Sequence, residues 1–165
     1  MRRLGFFLTG LAILVGINVT VWRFEHAISS GETVLLELAP VDPRSLMQGD
    51  YMRLSYALAR QLGSPHQEGA AAQILVIRLD EQQVAQRVEG GRTDALAPHQ
   101  RPLLARWQQG QWRTGPDAFI LEEGTGAQYE QARYGEFRLQ PDGGTLLVGL
   151  RDEALKPIGH TRPAW

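Results

Sequence analysis

From Leu4 to Trp22 the chain reads LGFFLTGLAILVGINVTVW, nineteen residues without a charge. A helix needs about 20 residues to cross ~30 Å of hydrocarbon, so this run is long enough to span a bilayer. It is apolar around its whole circumference, unlike the one-sided helix of a soluble core. Arg2 and Arg3 precede it, and Arg23 behind it is offset by Glu25. The positive-inside rule then predicts a cytoplasmic N-terminus, with Trp22 and Phe24 at the level of an interfacial aromatic belt. A cleaved signal peptide is the rival reading. It needs a shorter apolar core and a small-x-small site, whereas Trp22, Arg23, Phe24, Glu25 and His26 are bulky or charged. These flanks favour an uncleaved anchor. A lipoprotein is excluded, because the sequence has no Cys.

The expected division is a membrane anchor with a short juxtamembrane segment at residues 1–28 and an exported domain at residues 29–165, large enough for its own core. The chain is 43% apolar and 21% charged, as globular domains are. Its net charge of −1 offers no basic field for nucleic acid. Without Cys there are no disulfides, thiolate metal sites or thiol nucleophiles.

Beyond the anchor the pattern predicts short strands. Glu32–Leu38 is rich in Val and Leu. Asp50–Leu58 alternates, with Met52, Leu54, Tyr56 and Leu58 on one face and Tyr51, Arg53 and Ser55 on the other. Ala72–Leu79 is a nearly continuous apolar run, which fits a central strand. Val84–Val88 follows a turn, and Glu89–Gln100 is polar loop. Pro102–Trp107 and Gln111–Thr114 flank a hairpin turn. Ala118–Leu121, Glu136–Gln140 and Thr145–Leu150 complete the set. One short helix is predicted from Thr125, as N-cap, through GAQYEQARY to a stop at Gly135. The fold expected is mainly β: a transmembrane helix, then an antiparallel β sandwich, curled sheet or small barrel with one or two short helices.

The stretch QGDYMRLSY, Gln48–Tyr56, joins a turn to a strand. Asp42 stands at an N-cap position with Pro43 at N1, Gly49 closes the turn, and Asp50 can reach back to its free N–H groups. Leu54 and Tyr56 would pack inward while Tyr51 and Arg53 face out. A sharper reading makes Asp42, Arg44, Asp50 and Arg53 a charged cluster beside Tyr51, able to grip an extended peptide or a partner's loop. Gly49-Asp50-Tyr51-x-x-Leu54-x-Tyr56 resembles the signature of the GDYXXLXY protein family. The lead-in PVDPRSLMQGDY, the segment Phe119–Leu139 (with Glu123, Gly124, Tyr129, Ala132 and Gly135) and Gly144–Asp152 are similar to that family too. The resemblance implies a membrane-anchored protein, often associated with multi-pass membrane proteins, and assigns no chemistry. With the topology above, it gives the expectation of a bacterial inner-membrane protein whose C-terminal domain is periplasmic.

An anchor followed by a strand and a Gly-Asp turn also resembles the layout of type I signal peptidases. Those need a Ser ahead of the Gly-Asp and a Lys general base. Val41 stands at the comparable Ser position, Ser45 lies too close to Gly49, and the single Lys, Lys156, is near the C-terminus. The dyad is absent. His26, His66, His99 and His160 are isolated and match no metal-ligand spacing. Glu122 and Glu123, adjacent on a strand, would point to opposite faces, so a carboxylate pair with Asp117 is not expected. Trp107 and Trp112 flank the hairpin turn as a cross-strand pair would; a sugar platform is the alternative. No catalytic residue, metal or cofactor is therefore predicted. The leading expectation is a non-catalytic accessory or assembly partner of a multi-pass membrane protein. The alternatives are an envelope module binding a peptide or glycan, and an enzyme of unknown class on a signal-peptidase-like β fold.

Overall fold

The computed structural model describes residues 2–39, 51–63 and 71–159. Helix α1 (Arg2–Ser30) is continuous over 29 residues, about 43 Å at 1.5 Å per residue. Leu8–Ser30 within it is long and apolar enough to cross a membrane, and Leu8, Leu11, Ile13 and Leu14 are exposed on different sides of it. The helix ends at Ser30, one residue before Gly31. It runs directly onto the β domain, where Ile28 is buried. The Gln140 side-chain amide donates to Ala27 O at 2.8 Å. A Cβ at Gly31 would fall 2.7 Å from Arg138 Cβ and 2.8 Å from Ala27 O. Packing, not a linker, joins α1 to the domain.

The domain is built from β1 (Glu32–Glu37), β2 (Tyr51–Arg53), α2 (Ala57–Arg60), β3 (Ala72–Leu79), β4 (Ala85–Arg87), β5 (Gln100–Gln108), β6 (Gln111–Arg113), β7 (Ala118–Ile120), α3 (Gly126–Tyr129), β8 (Tyr134–Leu139), β9 (Thr145–Arg151) and β10 (Pro157–Ile158). Among the described residues these strands form two four-stranded sheets, β1-β8-β9-β10 and β4-β3-β5-β6, and the pair β2-β7. Pairings among these strands are antiparallel, and a single parallel bridge joins Leu35 to Val84 among the described residues. The large sheets curl toward each other and meet at two seams. At one, Leu35 N–H donates to Gln83 O and Glu32 holds Arg101 through two bonds of 2.6 and 3.2 Å. At the other, Leu104 N–H donates to Gly143 O and the Thr145 hydroxyl to Thr114 O. The β2 segment is tied to β1 by Ala39 N–H donating to Ser55 O. This is the curled-sheet form of the expected fold, and β3 is the inner strand that its apolar run predicts.

Two local expectations are corrected. The predicted strand Asp50–Leu58 shrinks to Tyr51–Arg53 within the described residues. Its alternation persists through Tyr56, since Met52, Leu54 and Tyr56 are all buried. The chain then turns helical, with Ala59 and Arg60 N–H both donating to Tyr56 O. Ala-Leu-Ala-Arg are strong helix formers, and Leu58 reaches the core from α2 instead of from a strand. The predicted helix from Thr125 covers only Gly126–Tyr129. The Thr125 hydroxyl donates back to Glu122 O instead of capping. Arg133 N–H bonds Arg151 O, and Leu38 N–H bonds Arg133 O, so sheet pairing claims the chain before the helix can continue.

The core centres on Phe137, wholly buried among Val34, Leu36, Tyr56, Leu103 and Leu150. Gly115, between β6 and β7, lies against that ring: a Cβ there would sit 2.8 Å from Phe137 Cε1 and 3.2 Å from the Tyr56 hydroxyl. Gly115→Ala should cost about 1–3 kcal/mol by overpacking. Gly63→Ala, with nothing within 4 Å of its Cβ position, is the control. Denaturant unfolding of the two variants in detergent should separate them; equal stability would contradict the packing described.

Candidate functional site

Strand β2 carries the outer half of the signature into the structure. Its register with β7 pairs Tyr51 with Ile120, Met52 with Phe119 and Arg53 with Ala118. Leu54 N–H extends the pairing by donating to Asp117 O at 2.8 Å. Alternation sends Met52, Leu54 and Tyr56 into the core and leaves Tyr51 half-buried and Arg53 exposed. Asp42, Arg44, Gly49 and Asp50 lie outside the described residues, as does Ser45, so the predicted charged cluster is represented here by Arg53.

Tyr56 ends the signature with two separate contacts. Its ring meets Phe137 edge-on at 5.5 Å between centroids. Its hydroxyl donates to Pro116 O at 2.8 Å. Burial, and secondarily the Asp117 charge, push that hydroxyl above the ordinary tyrosine range.

The second sequence segment folds against the first. Tyr129, buried at the end of α3, lies 5.5 Å from Phe119 of β7, and Gly159, at φ +66°, gives its hydroxyl room. Ala132 is buried in the same cluster, and Gly135 makes space beside Phe137. Gly124 adopts φ +79°, which a turn needs and glycine supplies. Glu123 is exposed next to it. The structure thus brings Met52, Leu54 and Tyr56 into one buried cluster with Tyr129 and Ala132, sets Gly135 beside Phe137, and leaves Glu123 in solvent.

Outside β2 a cavity of about 370 Å³ opens between the signature and the β6–β7 connection. Arg53, Ser55, Gln109, Gln111, Arg113 and Asp117 give it its polar character. Arg113 donates to Asp117 at 2.6 Å and to the Gln109 side chain at 2.8 Å, so its charge is largely compensated. Arg53 brings a guanidinium to the rim. Ser55 and Tyr56 bring hydroxyl-bearing side chains to its lining, and no His or Lys lines it among the described residues. The arrangement suits recognition by hydrogen bonds. Among the described residues no three His, Cys, Asp or Glu side chains gather as a metal-binding group.

The residues Gln109, Arg113 and Pro116 were not singled out by sequence reasoning. Their only signal is a Thr-Gly-Pro-Asp turn between two short strands. Asp117 was considered with Glu122 and Glu123, but its partner is Arg113, and both glutamates are exposed. Trp107 and Trp112 are cross-strand partners, edge-on at 5.4 Å. Trp112 is buried and donates its indole N–H to Gly63 O. The pair thus has the edge-on packing of cross-strand partners, with Trp107 half-buried.

The family model described as GDYXXLXY protein matches residues 13–150. The chain belongs to the GDYXXLXY family. No curated protein and no solved structure matches it. In this GDYXXLXY protein the last two signature positions, Leu54 and Tyr56, are core residues, and Tyr51 stands on the outer face.

Substitution separates these roles. Tyr56→Ala should cost about 3–5 kcal/mol, as loss of a buried aromatic does. Tyr56→Phe should cost about 1 kcal/mol by removing the bond to Pro116 O. Tyr51→Ala should stay within about 0.5 kcal/mol of the parent. The pH dependence has a definite sign. The folded chain favours the neutral phenol, so the stability linked to Tyr56 is complete below about pH 10, the unfolded tyrosine value, and falls as pH rises above it. Unfolding free energies followed from pH 8 to 11 should fall less steeply in Tyr56→Phe than in the parent.

Proposed function

We propose that this GDYXXLXY protein is a non-catalytic accessory subunit of a multi-pass membrane protein. Helix α1 crosses a bacterial inner membrane with its N-terminus in the cytoplasm, and the β domain works on the periplasmic side. The observation that carries this reading is strand β7. Among the described residues it pairs only with β2, and Ile120 is 82% exposed, directly across from Tyr51 of the signature. A strand edge with an outward apolar side chain is a template for pairing with another chain. A partner's extracytoplasmic loop would add there as an extended segment. It would set an apolar side chain beside Ile120 and basic ones toward the exposed Glu122 and Glu123. The direct docking of α1 on the domain supports the same role, because it holds this edge at a fixed height above the bilayer.

The 370 Å³ polar cavity favours a second reading, a module that binds a short peptide. Detergent pull-down distinguishes the two. Ile120→Lys should abolish recovery of a multi-pass partner while changing stability by no more than about 0.5 kcal/mol. If the partner persists in Ile120→Lys and is lost in Arg53→Ala, the cavity is the binding element and the edge is not. A periplasmic-reporter fusion after Trp165 should be active; an inactive fusion would overturn the orientation.

A further inference from the structure

Where α1 meets the domain, a cavity of about 690 Å³ opens between the last turns of the helix and the β8–β9 turn. Residues of α1 between positions 20 and 27 line one side, and residues 140–142 line the other. That part of the helix rises about 10 Å at 1.5 Å per residue. It starts inside the uncharged run and ends where the Gln140 amide holds Ala27 O. With α1 across a bilayer, the cavity lies at the level of the headgroups, a layer roughly 5–8 Å deep in each leaflet.

The lining is mixed in a particular way. Trp22, Phe24, Ala27 and Pro141 are apolar, and the Trp22 and His26 rings stack at 5.4 Å into one aromatic wall. Trp22 and Phe24 stay 65% and 57% exposed, so the domain does not cover them. Arg23 and Asp142 bring opposite charges to the same cavity, yet they form no ion pair with each other. Glu25 does not cancel Arg23 there, because residues two apart on a helix do not face each other, and Glu25 is not in the lining. Asp142 accepts from Gly144 N–H through one carboxylate oxygen and keeps the other without a bond among the described residues. A cation and an anion held apart in one cavity, beside open aromatic rings, complement an amphiphile whose polar end carries both charges.

We propose that this cavity binds the headgroup of a zwitterionic phospholipid that carries a primary amine. The Arg23 guanidinium takes the phosphate, the charge-assisted pairing that suits its planar fork. The Asp142 carboxylate accepts from the ammonium. The glycerol and the upper acyl chains lie against Trp22 and Phe24, aromatic side chains of the kind that settle at a membrane interface. The site rests on α1 being a membrane span. It does not depend on a protein partner or on strand pairing at β7. A lipid so held would bridge α1 and the β8–β9 turn, adding to the bond between Gln140 and Ala27.

The test is native mass spectrometry of the full chain released from detergent micelles, with phosphatidylethanolamine, phosphatidylcholine and phosphatidylglycerol titrated separately. The parent should retain phosphatidylethanolamine saturably and hold the other two at least about tenfold more weakly, the scale of one charge-assisted hydrogen bond. Choline has no N–H for Asp142, and the glycerol headgroup has no cation. Asp142→Asn keeps an acceptor for Gly144 N–H and loses the charge, so it should erase the preference over phosphatidylcholine. Arg23→Gln should weaken retention of all three lipids about tenfold, because each presents a phosphate. Both side chains are exposed, so neither change threatens the fold. Equal retention of the three lipids would reduce the cavity to ordinary lipid contact and overturn the site. So would the absence of a saturable adduct, or an unchanged preference in Asp142→Asn. Displacement of the lipid by an equal concentration of glycerophosphoethanolamine, which lacks acyl chains, would overturn the membrane lipid as the occupant. Membrane extraction separates this site from the anchor beneath it. A chain that needs detergent to leave the membrane but shows no lipid preference loses the site alone; a chain soluble without detergent loses both.

Discussion

Three parts of the sheet structure hang on the ring of Phe137. It projects from β8, inside the sheet that α1 docks against. The Tyr56 ring meets its edge, Gly135 clears space on its own strand, and Gly115 lets the β6–β7 connection close over it. The Tyr56 hydroxyl then bonds Pro116 O, so the same side chain that packs on Phe137 also fixes the connection lying over both. Full burial of such a ring contributes on the order of 1.5–3 kcal/mol from area alone. Its larger effect is geometric. The β2–β7 pair is too short to be stable by itself. It takes its position from Tyr56, which holds one end, and from Tyr129 on Phe119, which holds the other.

That dependence explains what the sequence revealed and what it hid. The alternation of Met52, Leu54 and Tyr56 was legible because a period of two survives wherever one face is buried, whatever the strand's length. The hairpin at Gln109-Gly110 and the inner strand Ala72–Leu79 were legible for equally local reasons. Leu58 was not, because in a short run a helical turn continues an apolar pattern as well as a strand does. The GAQYEQARY segment misled in the opposite direction. Its helical propensity is real, yet Arg133 exchanges backbone bonds with Leu38 and Arg151, residues far away in sequence. The polar cavity was hidden for the same reason. Arg113, Gln109 and Asp117 are ordinary hairpin and turn residues until Leu54 N–H fixes Asp117 beside the signature strand.

The signature divides by face. Its inward residues, Leu54 and Tyr56, determine whether the domain assembles. Its outward residues, Tyr51 and Arg53, lie off the core, because strand alternation turns them to the other face. The backbone serves both halves. Leu54 is buried through its side chain, while its N–H bonds Asp117, whose carboxylate in turn orients Arg113 at the cavity. A defect in the core would therefore be felt at the outer face as a shift of β7 and of the cavity wall.

The docking of α1 carries this argument to the level of the whole chain. A domain on a flexible linker samples many heights and orientations, and each encounter with a partner must overcome that freedom. Here the Gln140 amide caps Ala27 O, Ile28 is buried, and Gly31 permits backbone contact too close for any other residue. The helix ends inside the domain's packing, next to the strand that carries Phe137. From α1 to Phe137, from Phe137 to Tyr56, and from Tyr56 through β2 to β7, the path is continuous packing and hydrogen bonding. An edge that is open among the described residues, at the end of such a path, is pre-positioned. In the proposed role, most of the ordering cost of placing β7 against a partner embedded in the same bilayer is met when the domain folds.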